Sequence, residues 1–298
     1  MPEVHVEQQP SETALLAALR RALAHKEYPQ SRLGSDDLAE IFLSSQMRFF
    51  LRFKFMRAMG LRRLEGYLPG LQAFMIARTV YFDQLFTTAL EAQFPQIVLL
   101  GAGYDTRAYR YAARNRATQI FELDISPTQE RKKTCLEAAH LPPPERLRLV
   151  PIDFNREELA EVLGSAGWQP QERTMFIWEG VTYYLQPQSV DATLEFLSQA
   201  APGSQVAFDY TESIDAANRG GFGVQEFMDT MKSAHAGEAL LFSIASGEIE
   251  TFLADRNLVL RQHLDNQQIE QEFLVDGSGA SPGPITAHFR FVLAEPQP

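Results

Sequence analysis

A single cysteine, Cys135, stands among the 298 residues of this chain. One thiol excludes an intramolecular disulfide and any metal site built from clustered cysteines, so no metal is expected, and it fits a reducing, cytoplasmic setting. Long apolar runs are missing as well: none approaches the roughly 20 residues needed to cross a bilayer. The opening residues Pro2, Glu3 and His5 lack the basic-then-apolar pattern of a secretory leader. A soluble, unexported protein with no membrane partner is expected. Positive charge is in deficit, with 27 Lys and Arg against 38 Asp and Glu and a net charge of −11. A field of that sign repels polyanions, which argues against nucleic acid as a partner.

What is present is ordinary for a folded domain: 45% hydrophobic and 22% charged residues. One local cluster, Arg48, Arg52, Lys54, Arg57, Arg62 and Arg63, runs against the acidic balance. At helical spacing it reads as a solvated or partner-facing stripe, able to draw in an acidic substrate but without a catalytic role. Residues 11 to about 94 read as helices, since Leu15, Leu16, Leu19 and Leu23 recur three and four apart, as do Leu38, Ile41, Phe42 and Ser45. Ser35-Asp36-Asp37 is expected to cap the second of these helices. Gly60 and Pro69-Gly70 are expected to punctuate later ones.

From residue 95 the pattern changes to short β-rich runs alternating with helical ones, the mark of a parallel sheet with crossover helices. Seven strands are expected, at Ile97–Leu100, Gln119–Leu123, Arg148–Pro151, Thr174–Trp178, Val206–Tyr210, Leu258–Gln262 and Ala287–Leu293. The last is expected to be antiparallel, joined to its predecessor by a long hairpin connection from Asn266 to Pro284. The segment from Glu212 to about Ser246 is too long for a simple link and reads as a lid. The expected organisation is thus a helical cap region, residues 1–94, on an α/β Rossmann-like core, residues 95–298, whose seven-stranded sheet carries a lid insertion at 212–246.

The strand Ile97–Leu100 runs straight into Gly101-Ala102-Gly103. Two glycines two apart at a strand-to-helix turn let a ligand lie against bare main chain, facing the N–H groups of a helix start. Thr106 occupies the third glycine position of the dinucleotide fingerprint, which disfavours a pyrophosphate ligand. About twenty residues on, the second strand ends in Glu122-Leu123-Asp124, where an acidic side chain can accept hydrogen bonds from ribose hydroxyls. Alternation puts Glu122 and Asp124 on the same face, leaving both in contention. Asp153 and Phe154, after the third strand, can meet an adenine amino group and pack beside its ring; alternatively Asp153 caps a helix starting near Arg156. Glu179, directly after the fourth strand, suits an ammonium partner, and Gly180 beside it permits close backbone approach. Its alternative is a helix-start carboxylate favoured by the dipole.

The run Val98-Leu99-Leu100-Gly101-Ala102-Gly103-Tyr104-Asp105-Thr106-Arg107, taken with Phe121-Glu122-Leu123-Asp124 and Glu179-Gly180-Val181-Thr182-Tyr183-Tyr184-Leu185, resembles the leucine carboxyl methyltransferase family. The likeness reaches upstream to Ala77-Arg78-Thr79 and downstream to Gly237-Glu238-Ala239-Leu240-Leu241-Phe242. It implies S-adenosyl-L-methionine as cofactor. By the same resemblance Arg78 and a second N-terminal cation, best matched by Arg21, hold the cofactor's carboxylate. Gly101 with Ala102 and Gly103 forms the loop, Asp124 contacts the ribose, Asp153 and Phe154 flank the adenine, and Glu179 is the acid after strand four. The chain departs from the family pattern at Tyr183 and Ser243.

Methyl transfer from a sulfonium needs alignment and exclusion of water more than catalytic side chains. The expected activity is O-methylation of a carboxylate or hydroxyl on a small molecule, with Tyr104, Arg107 and Tyr183 as substrate-facing residues and no catalytic residue assigned. His235 and Glu238, in the lid, are the candidate bases for a hydroxyl acceptor. Three other readings stay open: a binder of the cofactor without transfer, a methyltransferase acting on a protein C-terminal carboxylate, and a nicotinamide oxidoreductase.

Overall fold

The computed structural model describes residues 9–154, 156–233, 240–275 and 281–297, side chains at 231–233 excepted. Four α-helices precede the sheet: α1 (Glu12–Glu27), α2 (Ser45–Leu51), α3 (Lys54–Tyr67) and α4 (Leu71–Glu91). Helix α1 starts where Ser11 Oγ accepts the N–H of Ala14 at 3.0 Å, satisfying a donor that has no partner inside the helix. Helix α4 is buried without interruption from Gln72 to Asp83, as an apolar helix laid on a sheet must be.

The helical region departs from expectation at two places. The segment from Leu38 is a single 3₁₀ turn, Ala39–Phe42, and not an α-helix. Asp36 does cap it, accepting the Ala39 N–H at 3.0 Å, but the same carboxylate also takes the Thr106 hydroxyl at 2.8 Å and Arg21 Nε at 2.7 Å. Those long-range partners set the chain's course; Leu43 is extended and Ser44 starts α2 afresh. Gly60 lies inside α3, whereas Gly70 does mark a boundary at φ +77°, where a Cβ would come within 2.6 Å of the Thr286 amide nitrogen.

The sheet comprises β1 (Gln96–Leu100), β2 (Gln119–Asp124), β3 (Leu147–Pro151), β4 (Thr174–Trp178), β5 (Gln205–Thr211), β6 (Leu258–Leu264) and β7 (Phe289–Pro296), in the order β3-β2-β1-β4-β5-β7-β6. The first five pair in parallel, and β7 runs antiparallel to both β5 and β6. Every residue of β1 and β4 is buried, because helices cover both faces. On one face α4 shares a core with Ile97, Leu99, Ile177 and Phe291. On the other, Val98, Phe121 and Trp178 pack with Leu163 of α7 (Leu159–Ser165), Leu194 of α8 (Pro187–Ser198) and Leu253 of α10 (Ile249–Ala254). Two further helices follow strands at the cavity end, α5 (Arg107–Arg110) after β1 and α6 (Ser126–Ala138) after β2.

The final strand begins two residues later than expected and extends to Pro296. Its connection from β6 is not all loop either. Polar residues dominate it, yet α11 (Asn266–Phe273) forms there, held by a capping box between Asp265 and Gln268 and by burial of Ile269 and Phe273. Residues 276–280 of that connection fall outside the described part. Between β5 and α10 the chain makes the expected excursion, anchored where Glu212 bridges Ile244 and containing α9 (Val224–Ser233). His235 and Glu238, with Gly237 and Ala239, also lie outside the described residues.

Candidate cofactor site

A cavity of about 310 Å³ opens beyond the carboxyl ends of β1, β2 and β4, the edge where open parallel sheets bind ligands. Its floor is the turn after β1. Gly101 and Gly103 take φ values of +66° and +51°, open to glycine without strain. A side chain on Gly101 would also stand 2.5 Å from Val181 Cγ2. The Ala102 N–H donates to the Leu123 carbonyl at 2.8 Å, tying the turn to the end of β2.

Asp124 closes this junction by accepting the N–H of Gly103 at 2.6 Å and that of Ile125 at 2.8 Å. Burial raises its pKa, and those two amides oppose the shift. The Thr128 side chain also hydrogen-bonds this carboxylate, and one further lone pair stays available to a ligand hydroxyl. Glu122 competes poorly for that role: it is fully buried, ion-paired with Lys132 of α6, and does not border the cavity.

Arginines form the wall on the helical side. Arg78 of α4 donates to Glu179 Oε1 at 3.0 Å and to the Tyr183 hydroxyl at 3.0 Å, with Asp209 Oδ2 3.5 Å away. Asp209 sits beneath the site, accepting the Gly180 N–H at 2.6 Å; burial pushes its carboxyl up to about 6, against the pull of Arg78. Arg107 is paired with three carboxylates, Asp83 at 2.8 Å, Glu179 Oε2 at 2.7 Å and Asp105. Arg110 grips both oxygens of Asp83 at 2.7 Å. Burial would raise that carboxyl, but Arg110 and Arg107 overrule it and hold it well below the usual range.

Arg21 and Arg20 sit side by side on α1 and differ sharply. Arg21 is spent on Asp36 and on the Tyr104 carbonyl, both at 2.7 Å. Arg20 is 2% exposed and reaches only Gln72 Oε1, at 3.4 Å, while its Nε and Nη2 find no partner. Burial lowers its pKa to about 10. A buried guanidinium with two nitrogens left unpartnered is complementary to an anion. Sequence reasoning missed it. Helical spacing does not separate it from Arg21, since Thr13, Ala17 and Arg20 border the cavity and so do Ala14, Ala17 and Arg21.

Eleven of the twelve residues assigned from the sequence to cofactor or substrate border this one cavity: Arg21, Arg78, Gly101, Ala102, Gly103, Asp124, Phe154, Glu179, Tyr104, Arg107 and Tyr183. Asp153 does not. Its carbonyl accepts the N–H groups of Arg156 and Glu157 at 3.0 and 2.9 Å, so it opens a helical turn. Tyr104 stacks on Phe42 at 4.8 Å and keeps its hydroxyl unpartnered. Phe227 of α9, Leu240 and Phe289 complete an apolar roof.

A Rossmann-like sheet whose glycine turn, strand-end carboxylate and buried arginines meet in one pocket defines a nucleoside-cofactor protein. Residues 14–198 match the leucine carboxyl methyltransferase family, and the chain belongs to that family. It is 31% identical over 199 residues to the "Putative S-adenosyl-L-methionine-dependent methyltransferase YktD" of Bacillus subtilis, a match covering 66% of this chain and 65% of that protein, just under two thirds of the relative's length. A Mycobacteroides abscessus protein of the same description is 28% identical over 261 residues, covering 82% of this chain and 81% of its own. Among solved structures, a methyltransferase-described protein from Thermobifida fusca superposes with a TM-score of 0.61 over 97% of this chain and 96% of that one. At 17% identity it speaks for the fold alone.

Proposed function

We propose that this chain is an S-adenosylmethionine-dependent O-methyltransferase whose acceptor is a small molecule, with a carboxylate as the first candidate. The observation that carries the reading is Arg20. The amino-acid end of S-adenosylmethionine presents a carboxylate, and Arg20, on the cavity wall with Nε and Nη2 unpartnered, would satisfy it once its side chain turns those sealed nitrogens toward the ligand. The remaining groups fit the same ligand. Asp124 accepts from ribose hydroxyls, Phe154 lies beside the adenine ring, Glu179 meets the ammonium, and the glycine turn leaves room for the nucleoside. Arg78 holds Glu179 in place; Asp153 contributes through the turn that carries Phe154.

When bound, the cofactor supplies an activated methyl group on a sulfonium. The chain's own task is then to align the acceptor and keep water out, for which the roof of Phe74, Phe227, Leu240 and Phe289 is suited. Among the described residues, which exclude His235 and Glu238, proton removal has little provision. Among the described residues no histidine borders the cavity, and Asp36, Asp105 and Glu179 are each ion-paired with an arginine. An acceptor already ionised at neutral pH needs no base, which favours a carboxylate over a hydroxyl.

Calorimetric titration with S-adenosylmethionine and its demethylated product should give saturable binding, and NAD none. Turnover is then assayed by mass spectrometry against carboxylic acids, phenols, alcohols and a peptide with a free C-terminus. Methyl esters of small acids are the expected products. Binding without any methylated product would leave a cofactor-binding protein, and absence of binding would overturn the reading.

A further inference from the structure

We propose that the α2–α3 hairpin is a peripheral docking surface for an anionic phospholipid layer. Between Ser44 and Phe55 every residue but Leu51 is exposed, and α3 buries no residue at all. Phe49, Phe50, Phe55 and Met59 are 53%, 52%, 69% and 65% exposed. These rings form one patch, since Phe49 contacts both Phe50 and Phe53, and Phe53 in turn contacts Phe55. A contiguous exposed aromatic cluster of this kind marks an interaction surface. Helices this short gain little stability by themselves and draw it from whatever covers them.

Charge identifies the occupant. From Ser45 to Tyr67 the chain carries six cations, Arg48, Arg52, Lys54, Arg57, Arg62 and Arg63, against the single Glu65. That surplus of five sits in a molecule of net charge −11, so the remainder stands at −16. Arg57 is tied to Glu27; the other five make no ion pair among the described residues. Rings and cations alternate almost residue by residue, as in Arg48-Phe49-Phe50 and Arg52-Phe53-Lys54-Phe55. All seven of these residues are exposed, so the hairpin offers rings and cations together, which suits the boundary between phosphate headgroups and acyl chains. Five of the six cations are arginine, whose planar fork suits phosphate oxygens. A second copy meeting this face through a two-fold axis would set cation against cation. The earlier expectation of no membrane partner rested on the lack of a spanning run, and a peripheral dock requires none.

The surface is independent of the methyl-transfer reading, and so is its test. The full chain is sedimented with sucrose-loaded vesicles of phosphatidylglycerol and phosphatidylcholine, or of phosphatidylcholine alone. Binding is expected to the anionic vesicles only, falling at least about tenfold in Phe49→Ser/Phe50→Ser/Phe55→Ser and in Arg48→Glu/Arg52→Glu, with circular dichroism unchanged. No sedimentation with anionic vesicles would overturn the proposal. So would equal binding to neutral vesicles, or undiminished binding by either variant. Binding to a single-stranded oligonucleotide without vesicle binding would reassign the face to nucleic acid, and a dimer dissolved by the serine variant, again without vesicle binding, would reassign it to self-association.

Discussion

Arg20 separates binding from stability. Because its Nε and Nη2 are buried without partners, replacing it with leucine removes a desolvation cost of about 1–2 kcal/mol. Arg20→Leu is therefore expected to raise the melting temperature while weakening S-adenosylmethionine about tenfold or more in calorimetry. Loss of both properties together would mark it as structural. Asp124→Ala, which frees the Gly103 and Ile125 amides, is expected to weaken the same ligand by at least about tenfold; wild-type affinity would reject its placement. A third residue is expected to contribute to the response to acid. His288 is buried with neither ring nitrogen partnered, and burial lowers its pKa from the ordinary 6.5 to about 3. The folded state resists the proton that the unfolded state accepts. The contribution of His288 is thus whole above 6.5 and erodes as pH falls toward 3, by about 1.4 kcal/mol per pH unit. His288→Leu should flatten the loss of thermal stability between about pH 6 and 4, and an unchanged slope would exclude this group.

Elements differed in how openly the sequence declared them. β1 and β4 were plain because parallel strands buried on both faces read as continuous apolar runs between turn residues. Helix α11 was hidden, since only Ile269 and Phe273 of its eight residues are buried and composition reads such a segment as loop. The 3₁₀ turn at Ala39–Phe42 was hidden for another reason: its cap, Asp36, answers to Arg21 and Thr106, contacts that no local window contains. The site divides the same way. Gly101, Asp124 and Glu179 follow strands and were legible by position, while Arg20 against Arg21 is a choice of helical phase that partners alone decide. Helix α1 brings those arginines, and its anchor is Ser11. Ser11→Ala is expected to cost about 1 kcal/mol, seen as faster amide hydrogen exchange in α1 while β1 and β4 stay protected. Uniform acceleration throughout would deny α1 that separate mobility.

At the scale of the molecule, the division at residue 94 is proposed to be architectural and not thermodynamic. Helix α4 belongs by sequence to the cap region yet shares one core with β1, β4 and β7. Cap and sheet should therefore melt in a single calorimetric transition, with two resolved peaks as the contrary result. S-adenosylmethionine at about 100 times its Kd should stabilise that transition by about 2.7 kcal/mol.

The amino end of α1 is fastened to α6 through the Ser11 N–H and Thr128 Oγ1, 3.0 Å apart. We propose that a molecule lying under α1 leaves only after this contact and the packing of α1 around it have opened. Residence time, and not bond-making, should then govern turnover: rapid quenching would catch one methylated product per chain formed at once, followed by a slow steady phase. A trace that is linear from its first milliseconds would mean this opening plays no part in the timing.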